Sequence, residues 1–171
     1  MDKKFIFIDK MNYTKKINCE KEKKMRVETN TWNLTEDELS HGTQLSALNS
    51  DDDNKYNSLI ISHIKTKIGS YKQQDILKKK FNESEFIKLD EVMSLLKNCG
   101  LKCCYCSNEV YLLYERVREM NQWSLDRINN DIGHNSGNAV IACLDCNLKR
   151  RRTNKDAFMF TKNMVITREG L

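Results

Sequence analysis

Two cysteine pairs of the same spacing restrict what this chain can fold into. Cys103-Cys104-Tyr105-Cys106 and Cys143-Leu144-Asp145-Cys146 are each C-x-x-C, and 36 residues separate them. A spacing of two lets both sulfurs of a pair face one ion. Two such pairs supply four thiolates in the closed tetrahedral set of structural zinc. The ligands are read as Cys103, Cys106, Cys143 and Cys146; Cys104 competes, but it would leave a C-x-C pair of poorer geometry. Four protein ligands leave no open coordination position, so such a site holds the fold and does no chemistry. Cys19 and Cys99 are read as free thiols, and the odd total of 7 cysteines argues against a disulfide framework.

The rest of the composition suits an intracellular, soluble protein. No apolar run approaches the roughly 20 residues of a membrane span, so no membrane partner is expected. Lys3-Lys4 are followed by only a short apolar stretch, Phe5-Ile6-Phe7-Ile8, which is brief for a signal peptide and reads as a short strand. The formal charge of +5 is unevenly placed. Residues 1–54 carry 9 Lys+Arg against 11 Asp+Glu, a net of −2, and residues 55–171 carry the other 20 against 13, a net of +7. The basic excess travels with the cysteines, as expected for a polyanionic partner.

Three regions follow from the patterning. Residues 1–54 are polar, with the acidic run Asp51-Asp52-Asp53, and read as a weakly ordered arm in which Thr35 and Glu38 could cap a short helix over Leu34 to Leu39. Residues 55–98 read as a helical lead-in. Leu59, Ile60, His63, Ile64 and Ile68 recur at helical spacing up to Gly69, a second helix is expected over Gln73 to Phe81, and a third over about Asp90 to Asn98. Support of the following module is the reading favoured for these helices, because a lysine run such as Lys78-Lys79-Lys80 is usually a helix's wet face. Residues 99–171 hold the cysteine module. Strands are expected at Ser124 to Ile128 and Ala139 to Ala142, with a turn-rich loop over 129–137 between them, and helices at Asp145 to Arg152 and Asp156 to Lys162. The expected class is α+β: a small helical N-terminal part, then a zinc-stapled ββα module.

Cys103–Cys106, Leu125-Asp126-Arg127-Ile128, Gly137-Asn138-Ala139-Val140 and Cys143-Leu144-Asp145-Cys146-Asn147-Leu148-Lys149 occur here in one order and spacing. In this, residues 99–155 resemble the HNH endonucleases, the ββα-metal or His-Me finger family. In members with this staple a knuckle precedes the first strand, and the helix begins at the second knuckle. The resemblance implies a metal-dependent endonuclease that hydrolyses phosphodiester bonds, most naturally of DNA. It implies that Asp126 and Asn147 hold one divalent ion, Mg2+ or Mn2+, and that Asn138 shapes the loop. A carboxylate and an amide oxygen are the hard donors such an ion prefers. Because stand-alone proteins of that family are common in phages, large viruses and mobile introns, the resemblance also implies such a source.

One position departs from the family. The general-base histidine usually follows the acidic strand residue directly, and here Arg127 stands there. A guanidinium stays protonated and cannot accept a proton, although its fork of donors can grip a phosphate. His134, in the inter-strand loop behind Gly133, is the substitute; an exposed loop residue is the equally weighted alternative reading. His63 lies on an apolar helix face and reads as packed. Lys149, Arg150, Arg151, Arg152 and Lys155 follow the site, and those facing it would neutralise backbone phosphates. The alternative function is a zinc module that binds DNA or RNA after its nuclease site has lapsed.

Overall fold

The computed structural model describes residues 32–50, 52 and 54–164; the strand expected at 5–8 lies outside them. Among the described residues there are five helices, α1 (His41–Asn49), α2 (Lys55–Leu77), α3 (Leu89–Asn98), α4 (Leu144–Arg150) and α5 (Lys155–Asn163). One antiparallel sheet pairs β1 (Trp123–Arg127) with β2 (Ala139–Cys143). The class is therefore α+β. No helix among the described residues is long and apolar enough to cross a membrane.

The hairpin register sets everything around it. Leu125 faces Ile141 across the ladder, and Asp126 faces Val140. Side chains alternate along a strand. Leu125 and Arg127 therefore turn toward α2, where the Tyr71 hydroxyl accepts the Leu125 amide at 3.0 Å. Ser124 and Asp126 turn toward α4, whose Asn147 and Arg150 reach them. Two strands of 5 residues are marginal alone, and helices pack on both sides. The core runs through Ile60, Ile64, Val92, Leu96, Leu112, Leu113, Trp123 and Leu125, all nearly inaccessible to solvent.

Several helix boundaries differ from those read in the sequence. Gly69 does not end a helix: α2 runs through it to Leu77 and absorbs the one expected over Gln73 to Phe81. A mid-helix glycine costs about 1 kcal/mol, and the buried stripe of Ile60, Ile64, Tyr71 and Asp75 on both sides of it outweighs that. The helix stops instead at Lys79, whose φ is +56°. There the Lys80 amide donates to the Asp75 carbonyl and the Lys79 amide to the Ile76 carbonyl, a Schellman closure with lysine where glycine is usual.

The polar arm also gives way at its end. Residues 41–49 form α1, capped by Ser40 and anchored by buried Leu48 and Gln44. Gln44 donates to the Leu113 carbonyl at 3.1 Å and accepts the amides of Leu112 and Leu113. A polar residue thus does the anchoring that a search for apolar periodicity passes over. Thr35 and Glu38 form the expected reciprocal pair, with the Thr35 amide on the Glu38 carboxylate at 2.7 Å, but they close turns rather than a helix.

Gly69 is solvent-exposed, and a Cβ placed there meets nothing within 4 Å. Gly69→Ala is expected to raise unfolding stability by about 0.5–1 kcal/mol, read as a shift in the denaturant midpoint at unchanged slope.

Candidate functional site

The four sulfurs of Cys103, Cys106, Cys143 and Cys146 lie within 4.8 Å of one another, which makes this a cluster able to hold a metal ion. Zinc–sulfur bonds of about 2.3 Å give a tetrahedral edge near 3.8 Å, and Cys106 and Cys143 are 3.9 Å apart. The donor set fits zinc. Backbone amides support it, with Tyr105 donating to the Cys103 sulfur and Cys146 to the Cys143 sulfur, each at 3.4 Å. The hydrogen bond between Cys103 and Cys143 lowers the first thiol and raises the second, and burial raises Cys146. Cys104 is outside the cluster; burial pushes its thiol up to about 12, and its amide donates to the Ile141 carbonyl of β2. Cys99 is outside it too, and Cys19 lies beyond the described residues.

The cluster positions the second set of groups. Cys143 ends β2 and, through its side chain, caps α4. That turns Asn147 and Arg150 toward β1. Asn147 is the fourth residue of α4, so it does not cap the helix. Its amide nitrogen donates to the Ser124 hydroxyl at 3.1 Å and the Leu125 carbonyl at 3.2 Å. Asp126 is 4% exposed, and both carboxylate oxygens are engaged. Arg150 Nη1 donates to Oδ1, and the Tyr105 hydroxyl donates to Oδ2, each at 2.7 Å. Burial and the Asp126 carboxylate push the Tyr105 phenol well above its usual value. Arg150 also donates to the carbonyls of Arg127 and Ile128.

The sequence-predicted basic group is thus divided. Arg150 is 1% exposed and paired with Asp126, so it does not present its charge to a ligand in this arrangement. Lys149 pairs with Asp145 at 2.7 Å, and exposed Arg152 lies 3.7 Å from Asp131. Arg151 is exposed and Lys155 half-buried. Asp126, too, is not free to coordinate. The donor chemistry of Asp126 and Asn147 suits a divalent ion, but the guanidinium of Arg150 and the hydroxyl of Tyr105 take both carboxylate oxygens. The residues as arranged do not offer that ion an open place.

A third set lies on the other face of β1. His134 is 4% exposed rather than an open loop residue. Its Nδ1 is 3.0 Å from both carboxylate oxygens of Asp75, and its amide donates to Asp75 Oδ2 at 2.6 Å. The Tyr71 ring lies 4.6 Å from the imidazole, and Arg127 Nη1 is 4.0 Å from Asp75 Oδ1. Burial lowers the imidazole below its ordinary value despite the neighbouring carboxylate. His63 stands apart from this set, packed edge-on against Trp32 and Tyr114, with burial lowering it to about 4.

Gly133 gives the loop no loose approach. A Cβ there would lie 2.5 Å from the Lys80 carbonyl and 2.8 Å from Asp75 Oδ2, so the glycine is needed for close packing. The loop is stitched to the lead-in region. The Ile87 amide donates to the His134 carbonyl, Ser136 to the Glu85 carbonyl, and Gly137 to the Glu91 carboxylate. Asn138 ties the loop internally, donating to the Gly133 and Asn129 carbonyls and accepting the Asn129 amide.

Sequence reasoning gave no role to Asp75 or Tyr105. Asp75 had a signal: it continues the spacing of Ile60, Ile64 and Tyr71, and a carboxylate on an apolar stripe asks for a buried partner. Tyr105 had none, because its contact with Asp126 depends on how the knuckle folds back.

No family model matches the chain, and neither the curated proteins nor the solved structures give a match.

Gly133→Ala is expected to destabilise by about 1–3 kcal/mol, because the new methyl meets a backbone carbonyl that cannot step aside. Gly42→Ala, where a Cβ meets nothing within 4 Å, is the control and should lose nothing. Thermal or urea unfolding of the two variants measures the contrast.

Proposed function

We propose that the chain is an endonuclease of HNH type that hydrolyses phosphodiester bonds, with DNA as its substrate. The observation that carries this reading is the cysteine-anchored hairpin and helix, which set Asp126 and Asn147 on one side of β1 while a buried imidazole, held by Asp75, lies on the other side of the same strand. His134 in its neutral form is the base that takes a proton from the attacking water. Arg127, half-buried beside it, supplies a fixed positive charge for the phosphorane oxygens. Exposed Arg151 and Arg152, with Lys155, contribute affinity for the backbone without reading sequence. The cysteine cluster, loaded with zinc, holds these parts and takes no chemical step. The enzyme would be metal-dependent, using Mg2+ or Mn2+, and Asp126 would reach that ion only on release from Arg150.

A second reading has its own observation. The buried Asp126–Arg150 pair is a stable arrangement for a carboxylate that has stopped coordinating an ion. On that reading the chain is a zinc module that binds DNA or RNA without cutting it.

Nicking of supercoiled plasmid separates the two. The zinc-loaded protein is tested with Mg2+, with Mn2+ and with neither, beside Asp126→Asn and His134→Ala. Asparagine retains an acceptor for Arg150 but not its counter-charge, so circular dichroism establishes that the variant is folded before rates are compared. The nuclease reading expects metal-stimulated nicking and at least a roughly 100-fold loss in His134→Ala; an equal loss in Asp126→Asn would show that Arg150 yields the carboxylate during the reaction. Retardation of DNA on a gel with no cleavage under any metal would establish the binding module instead.

A further inference from the structure

The Asp75–His134 contact joins residues 59 positions apart, from the end of α2 and from the hairpin loop. Asp75 is fully buried. A buried carboxylate needs partners that match its charge and lone pairs. Here it accepts the His134 amide at 2.6 Å, which fixes the backbone, and stands 3.0 Å from Nδ1, which fixes the ring. Tyr71 covers the imidazole face. Nε2 has no hydrogen-bond partner among the described residues.

We infer that Asp75 is a positioning residue: it holds His134 as the tautomer protonated on Nδ1, so that the Nε2 lone pair is the acceptor of the proton lost by water. A carboxylate on one imidazole nitrogen makes the other the basic one and stabilises the imidazolium that forms. The proton balance is direct. Water gives its proton to Nε2 as its oxygen bonds to phosphorus; the P–O bond to the leaving oxygen breaks, that oxygen takes a proton from solvent water, and the imidazolium returns its proton to solvent. Arg127 belongs to the same group. Standing where the resemblance expects the base, its guanidinium lies near Asp75. The carboxylate thus gathers both the strand residue and the loop histidine that replaces it.

The charged and titratable groups around the imidazole are Asp75 and Tyr71 from α2, Lys78 just after that helix, and Arg127 from β1. Asp75 raises the affinity of His134 for a proton, and Arg127 and Lys78 lower it. Removing the Asp75 charge should therefore move protonation of His134 to lower pH. The rate needs neutral His134, so the acid limb of the pH–rate profile moves the same way while the maximum falls.

The use made of the base rests on the nuclease reading; its protonation state does not. Two measurements keep them apart. Imidazole nitrogen shifts of the zinc-loaded wild type, by NMR, should show Nδ1 protonated and Nε2 bare at pH 7.5. Asp75→Asn should lose that pattern. In plasmid nicking Asp75→Asn should fall roughly 10²–10⁴-fold, with its acid limb at lower pH. Asp75→Asn combined with His134→Ala should be no slower than His134→Ala alone. An Nε2-protonated imidazole in the wild type overturns the assignment, whether or not Asp75→Asn folds. A slowed Asp75→Asn whose pH profile is unmoved, or additive losses in the double variant, would reduce Asp75 to a structural residue. The stated tautomer in a protein that cuts no DNA leaves the dyad in place and defeats the nuclease reading.

Discussion

Four sulfurs within 4.8 Å of one another are the contact through which every other part of the site is set. The hairpin is two strands of 5 residues, and α4 has 7. Neither holds its shape alone, because a lone hairpin and a helix of two turns are both marginal in water. Cys143 is the last residue of β2 and the cap of α4, so a metal there fixes the angle between strand and helix. The first knuckle returns to the same strand through the Cys104 amide. Structural zinc contributes on the order of 10–16 kcal/mol in small peptides, comparable with the roughly 5–15 kcal/mol that holds a whole domain folded. A metal held by the four sulfurs would therefore substitute for the apolar area that so small a hairpin lacks.

Adjacent residues of β1 divide the charged chemistry between two faces. Asp126 looks toward α4 and is matched by Arg150; Arg127 looks toward α2 and lies near Asp75, which His134 shares. Two buried carboxylates, each with an arginine nearby, enclose one strand. Breaking a buried pair by removing a single partner costs about 3–5 kcal/mol, so the Asp126–Arg150 pair, at 2.7 Å, locks the hairpin onto α4. Contacts on the Asp75 side explain why the lead-in helices are packed on the module. Asp75, Lys80, Glu85 and Glu91 all hold the loop that carries His134.

Much of this was legible in the residues. The spacing of the cysteines selected the four that cluster over Cys99 and Cys104, because geometry at a metal is local. The strands were legible as short segments on either side of a turn-rich loop, and each begins and ends within a residue of its place. What was not legible is long-range. Arg150 and Arg151 look alike in a basic run, yet one is buried against Asp126 and the other is exposed, a difference set by helix phase. Gly69 and Gly133 carry opposite meanings, one tolerated inside a helix and one required by a carbonyl 2.5 Å away from any side chain placed there. Gln44 anchors α1 by hydrogen bonds that apolar periodicity does not register.

The coordination of the cysteine cluster is the most direct test of this account. Cobalt can replace zinc in the purified protein, and its absorption reports both geometry and ligands. One equivalent of Co2+ should give the intense visible bands of a tetrahedral ion and the sulfur-to-metal charge transfer of four thiolates. Cys146→Ser should weaken that charge transfer, and Cys104→Ser should leave it unchanged. A weak six-coordinate spectrum, or no uptake of either metal, would contradict the account at its base.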